Sequence, residues 1–378
     1  MPISHNFDGG NIDVIEDSDA QNIQLKIRAD ANSSFFQWFY FRAHGLYEVP
    51  CSISIQNAGE ATYPEGFENY DVVYSYDRIN WMRHHTNFSN GILNIEFTPS
   101  QDAVYFAYFA PYSMERHADL IAKALSFPAA SLEVLGKTLD GRDLDMVKFS
   151  DGNNAGDKRN CWLIARQHPG ETMSEWWMEG ALEWLGAQKT SERNSLLKRC
   201  DLFLIPNMNP DGSYRGHLRT NAGGRNLNRE WENPTMESAP EVFLVKEAMA
   251  KIGVDFFLDV HGDESLPHNF IAGTEGLINW SSKKQHQLDF FKNALEKMDK
   301  DFQTEIGYPV KARGSANLKM SAAQIAHQHN CLAMTLEMPF KDSLENPNQT
   351  LGWSPSRCKT LSISCLRVLD QYVKSSVI

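Results

Sequence analysis

The spacing of hydrophobic and polar residues changes character once along this chain. Up to Ser113, apolar residues fall in short β-branched or aromatic runs: IQLKIR, SFFQWFYFRAHGL, CSISIQN, DVVYSYD, GILNIEFTP and VYFAYFAPYS. Asn, Gly and Pro separate them, and no helical period intervenes, which predicts an antiparallel β-sandwich over residues 1–113. The aromatics Phe35, Phe36, Trp38, Phe39, Tyr40 and Phe41 are read as its core. MERHADLIAKALS, from Met114 to Ser126, then carries apolar residues at helical spacing and predicts a helix leading out of the sandwich.

Beyond it the periods alternate. LEVLGKTLDGRDLDMVKFS reads as a hairpin with Asp140-Gly141 in its turn. Four runs follow that are apolar almost throughout: RNCWLIARQHP, CDLFLIPNMNPDG (ending in a Pro-Asp-Gly turn), VDFFLDVHGD and NCLAMTLEMPF. Such runs suit strands covered on both faces. Helical patterns over Thr172–Ala187, Glu237–Lys251, Ser281–Asp301 and Ser354–Ser375 separate or follow them. This alternation predicts a second, α/β domain over residues 114–378, with a mixed central sheet flanked by helices.

Composition narrows the partners. The 378 residues hold 36 Lys and Arg against 48 Asp and Glu, a net charge of −12. A polyanion-binding surface needs the opposite balance, so no nucleic-acid partner is expected. No apolar run approaches the roughly 18 residues of a membrane span, so no membrane association is expected either. The N-terminal segment MPISHNFDGG shows neither the basic nor the apolar region of a signal peptide. Cys51, Cys161, Cys200, Cys331, Cys358 and Cys365 are scattered without a CxxC pair. Free thiols and a cytoplasmic location are the expectation. Oligomeric state is left unknown by these features.

The candidate chemistry sits where apolar runs stop. After the first buried strand comes His168-Pro169-Gly170-Glu171, and at the end of the third comes Asp259-Val260-His261-Gly262. Sites in α/β sheets collect at the carboxyl ends of strands. Two His and one carboxylate form a three-ligand zinc set with a fourth position open to water, so one Zn2+ per chain on His168, Glu171 and His261 is expected. The second strand runs into NPDGSYRGHLRTNAGGRNLNREW, whose Arg215, Arg219, Arg225 and Arg229 make a basic cluster suited to an anionic ligand. The last strand places Glu337 between apolar neighbours, where burying a carboxylate is costly unless it has a partner or a task.

Taken together these motifs resemble the M14 (carboxypeptidase A-like) zinc metallocarboxypeptidases, and within them the bacterial members of the cytosolic carboxypeptidase branch. The WFYFR run (Trp38–Arg42) and FAPYS (Phe109–Ser113) resemble that branch's N-terminal β-sandwich, so the likeness covers nearly the whole chain. It implies zinc on His168, Glu171 and His261, Arg219 stabilising the oxyanion, and Asn228 with Arg229 gripping the substrate's terminal carboxylate. It implies Glu337 as general base and acid, and a peptide or protein C-terminus as substrate, acidic (glutamate) residues among the candidates. Three departures stand out. Asn226 occupies the position of an Asp that orients a zinc-bound His; Tyr308 is the candidate for a substrate-contacting Tyr; and Gly314–Asn317 lacks the Arg of the deglutamylases, with Lys311, Arg313 and Lys319 nearby. Two other activities suit the same motifs: an amidohydrolase cleaving N-acyl amino acids, and a non-catalytic peptide-binding module retaining zinc.

Overall fold

A computed structural model of the chain describes residues 3–153, 158–187 and 191–375; the extreme ends of both expected domains lie outside them. Two five-stranded sheets form the N-terminal layer pair. Alternation drives their packing: in Cys51–Ile55 the residues Cys51, Ile53 and Ile55 point inward, and in Ile92–Phe97 so do Leu93, Ile95 and Phe97. Every strand pair is antiparallel except Ile23–Lys26 with Cys51–Ile55, which runs parallel. Between these two segments the chain crosses to the opposite sheet to make Tyr40–His44, so it returns in its original direction. Of the six aromatics read as core, Trp38, Phe39, Tyr40 and Phe41 are fully enclosed. Phe35 and Phe36 are only partly buried.

The second region is built on seven strands, numbered here in chain order: β1 Ala130–Lys137, β2 Asp143–Phe149, β3 Arg159–Ala165, β4 Cys200–Ile205, β5 Phe256–Asp263, β6 Phe270–Ala272 and β7 Leu332–Pro339. Across the sheet the order is β1-β2-β4-β3-β5-β7-β6. The four central strands are parallel, and antiparallel partners close both edges. β1 and β2 form the expected hairpin, and Gly141 adopts φ +83° in its turn, the left-handed region glycine enters without strain. Helices Met173–Gly186 and Pro355–Lys374 cover one face. A second apolar cluster with Trp162, Phe203, Trp231 and Val245 covers the other, which is why the central strands are apolar throughout.

All five predicted helices stand within three residues of their expected ends. One turn does not: the Pro-Asp-Gly segment is the start of a short helix, Pro210–Arg215. Pro at its first position, the Asn209 side chain accepting from Gly212 N, and Gly216 at φ +69° after its last turn supply both caps.

The sandwich and the α/β layer are fused. One apolar cluster runs from the sandwich into the helical face, and the Tyr108 ring stacks on Phe340 at 4.6 Å. Half-buried Arg83 donates to the carbonyls of Asp71 (2.7 Å) and Phe340 (2.6 Å), and so ties the sandwich to the residue that follows β7. All six cysteines are buried free thiols. Among the described residues no helix is long and apolar enough to cross a membrane.

Candidate active site

β3 ends at Ala165, and the chain turns sharply through Arg166–Glu171 before helix Met173–Gly186. Arg166 adopts φ +57°, which costs a non-glycine residue on the order of 1 kcal/mol. Its guanidinium holds the turn from inside, donating to the carbonyls of Pro169 (3.0 Å) and Tyr112 (2.8 Å) and to Glu175 Oε2 (2.6 Å). The turn sets His168 and Glu171 side by side. β5 brings His261 to them, and in the β5–β7 register His261 stands directly opposite Glu337.

His168 Nδ1 lies 2.6 Å from Glu171 Oε1, and His261 Nδ1 lies 2.8 Å from Glu171 Oε2. Each ring is held from behind at Nε2: His168 by Asn226 Oδ1 at 3.0 Å, His261 by Asp259 Oδ2 at 2.9 Å. An acceptor at Nε2 favours a proton there and turns Nδ1 inward, toward the place a metal would take. Burial, with Arg219 beside it, lowers His168 to about 4, so the ring is neutral. Burial alone would raise Glu171, but the two imidazoles hold its carboxyl well below the usual range. Burial would lower His261, but Asp259 and Glu171 raise it well above the usual range, so a metal ion bound here would displace its Nδ1 proton. Two inward imidazole nitrogens and an ionised carboxylate, with ligand atoms all within 4.8 Å of one another, are a donor set that fits zinc. The Asn226 departure therefore keeps its place in the geometry, since an amide oxygen holds the imidazole where the family often has a carboxylate. Asp259 serves the other ring, and Gln167 Nε2 (2.6 Å) and the Ser321 hydroxyl fix Asp259 in turn.

A cavity of about 410 Å³ opens over this cluster, lined by Arg219, Asn228, Arg229, Tyr308 and Glu337 as well as the three donors. Glu337 is buried, and its Oε2 has no hydrogen-bond partner. Burial and the neighbouring Glu171, Asp263 and Glu264 push its carboxyl well above the usual range, with His261 opposing them. Asn228 Oδ1 accepts from Ser321 N at 2.9 Å, which fixes the amide, and Arg229 stands exposed at the mouth. Tyr308 lies at the rim, its hydroxyl donating to Asp263 Oδ2 at 2.6 Å.

The four-arginine cluster divides. Arg215 pairs with Asp140 at 2.7 Å and Arg225 with Glu230 at 3.2 Å, both outside the cavity. No ion pair joins Arg219 or Arg229 to an acid among the described residues, and both line the cavity. A side pocket continues from Asn228, Tyr308 and Glu337 past Thr335 to Glu275, Lys292 and Lys311. Arg313 turns away and donates to the Ile278 carbonyl at 2.8 Å. Lys319 is exposed and does not line this pocket.

Several residues at the site escaped the sequence reading. Ser321 and Lys292 lie on helices, Ser321–His329 and Ser282–Met298, with no motif to mark them. Tyr63 and Glu65 reach the cavity from the sandwich. Asp259 did leave a signal, because in a strand residues two apart share a face.

Comparison with known proteins identifies the family. Residues 3–109 match the model of the cytosolic carboxypeptidase N-terminal domain, and residues 117–351 match that of zinc carboxypeptidase. A metallo-carboxypeptidase structure from Burkholderia cenocepacia is 41% identical, covers 99% of each chain and superposes with a TM-score of 0.96. The metallo-carboxypeptidase from Pseudomonas aeruginosa, in complex with (2-guanidinoethylmercapto)succinic acid, gives the same identity, coverage and score. Cytosolic carboxypeptidase 6 of Caenorhabditis elegans is 26% identical over 88% of this chain and 77% of its own.

Proposed function

Because this chain belongs to the zinc carboxypeptidase family, in its cytosolic carboxypeptidase-like branch, we propose that it hydrolyses the C-terminal peptide bond of peptides or proteins. One observation carries the reading: an unpartnered carboxylate and two unpaired arginines share a cavity with a zinc-type donor set.

His168, Glu171 and His261 would hold one zinc ion, which would supply a Lewis acid for the scissile carbonyl and the attacking water. Glu337, ionised once a bound cation offsets the burial and the neighbouring carboxylates that raise it, takes a proton from the attacking water and delivers one to the leaving amine. Arg219 faces the negative charge that develops on the carbonyl oxygen. Asn228 and Arg229 hold the substrate's terminal carboxylate, which restricts cleavage to the last residue. Arg219→Ala should lower kcat by about 100- to 1,000-fold with little change in KM, measured by steady-state kinetics on an N-blocked dipeptide.

Lys292 and Lys311 in the side pocket favour an acidic C-terminal side chain, with Glu275 limiting the excess of positive charge. The relative from Pseudomonas aeruginosa, in complex with (2-guanidinoethylmercapto)succinic acid, supports a grip on a terminal carboxylate, while the cationic guanidino arm of that ligand leaves the side-chain preference to the test. The test is a panel of N-blocked peptides differing in their last residue, oligoglutamates included, with and without a chelator. Chelator-sensitive release of the last residue is expected, fastest from Glu or Asp, and none from peptides amidated at the C-terminus. Cleavage of N-acyl amino acids alone would identify the amidohydrolase instead. Bound zinc with no hydrolysis would identify the binding module.

A further inference from the structure

Asp30 belongs to the sandwich, yet its carboxylate is enclosed by the α/β domain and is 2% exposed. Oδ1 accepts from Leu218 N at 2.6 Å. Oδ2 accepts from Arg219 N at 2.8 Å, Thr220 N at 2.8 Å and Thr220 Oγ1 at 3.0 Å. Three successive backbone donors on one carboxylate fix the peptide planes on both sides of Arg219. The next residue repeats the tie: Ala31 N donates to His217 Nε2 at 3.1 Å, while His217 Nδ1 donates to the Thr220 carbonyl at 3.0 Å. The guanidinium is flanked from the same side of the molecule, 5.4 Å from the Tyr63 ring and 5.8 Å from the Phe35 ring. Asp30's own loop is closed by Asp30 N donating to the Phe35 carbonyl at 2.8 Å, so carboxylate and ring move as one unit.

We propose that Asp30 of the β-sandwich is a positioning residue for Arg219, so that the N-terminal domain builds the oxyanion subsite of the catalytic domain. This rests on the oxyanion role proposed above for Arg219. A charged acceptor is required, because an amide here would set its NH2 group against at least one backbone N–H in either flip state. The loop would then shift, and misplacing a catalytic group by about 1 Å can cost on the order of 100-fold in rate.

The test compares Asp30→Asn, Arg219→Ala and the double variant as full-length zinc-loaded proteins. The substrate is whichever N-blocked dipeptide of the panel the wild type cleaves fastest. Asp30→Asn should keep its zinc and a cooperative melt, lose kcat by about 100-fold and hold KM within about twofold. In the Arg219→Ala background the same change should cost almost nothing, since the residue it acts through is gone. Thr220→Val removes only the hydroxyl donor, and should lower kcat by about three- to tenfold with KM unchanged, a readout that survives if Asp30→Asn does not fold. The proposal falls if kcat is unchanged in folded Asp30→Asn or in Thr220→Val, if the two losses multiply in the double variant, or if Asp30→Asn loses zinc. A wild-type rate in Arg219→Ala would remove the role of Arg219, and the proposal with it; a slow Arg219→Ala beside a normal Asp30→Asn would remove the proposal alone.

Discussion

Glu337→Gln should give a folded, zinc-loaded protein whose turnover of peptide is lower by about 100- to 10,000-fold, the span of general acid–base catalysis. The substitution keeps size and shape and removes only the charge and the ability to take up a proton. The structure explains why it should be tolerated. Glu337 Oε2 is buried without a partner, with Glu171, Asp263 and Glu264 close enough to raise the carboxyl. An amide in that place relieves like-charge repulsion and orphans no donor that Glu337 now satisfies. Thermal melting and metal analysis should therefore match or exceed the wild type while kcat collapses. Turnover near the wild-type rate would remove Glu337 from the mechanism.

Chelation should have a comparably large effect and, unlike the glutamine variant, should be reversible. Turnover should fall to background and return when one equivalent of zinc per chain is added, because His168, Glu171 and His261 are the one such donor group among the described residues. The apo protein should remain folded, since the Nε2 bonds to Asn226 and Asp259 hold both rings in place without the ion. It should nonetheless melt at a lower temperature. A ligand at 1,000 times its dissociation constant contributes about 4 kcal/mol to the folded state. Full restoration by zinc with no change in melting temperature would contradict binding at this buried site, as would a requirement for more than one equivalent.

Much of this site was legible because of where its residues fall. β3, β5 and β7 are covered on both faces, so each reads as a long apolar run, and a polar residue at its end stands out. His168, Glu171, His261 and Glu337 all carry that mark. The helix Pro210–Arg215 was not legible as a helix, since Pro-Asp-Gly suits a turn and a capped first helical turn equally well. The arginine run misled in part: Arg215 is neutralised by Asp140, which sits 75 residues away in the hairpin turn. No local pattern reports such a pairing. Asp30 and Tyr63 were illegible for the same reason, because their contacts depend on how two layers far apart in sequence meet. Lys292 lies on a polar helix whose pattern does not distinguish a pocket wall from a solvated face.

The division of the arginines also bears on how a substrate arrives. With a net charge of −12 on the chain and two of the four arginines cancelled by acids, the molecule offers an acidic peptide no attraction at a distance. At physiological ionic strength the surrounding repulsion fades beyond about 8 Å, and only inside that range do Arg219 and Arg229 make themselves felt. Capture is then a short-range event: the chain end finds the cavity by unguided diffusion and is retained on contact. On the proposed activity, such an enzyme should select partners by whether a mobile terminus can thread the mouth, and folded acidic surfaces should drift past it.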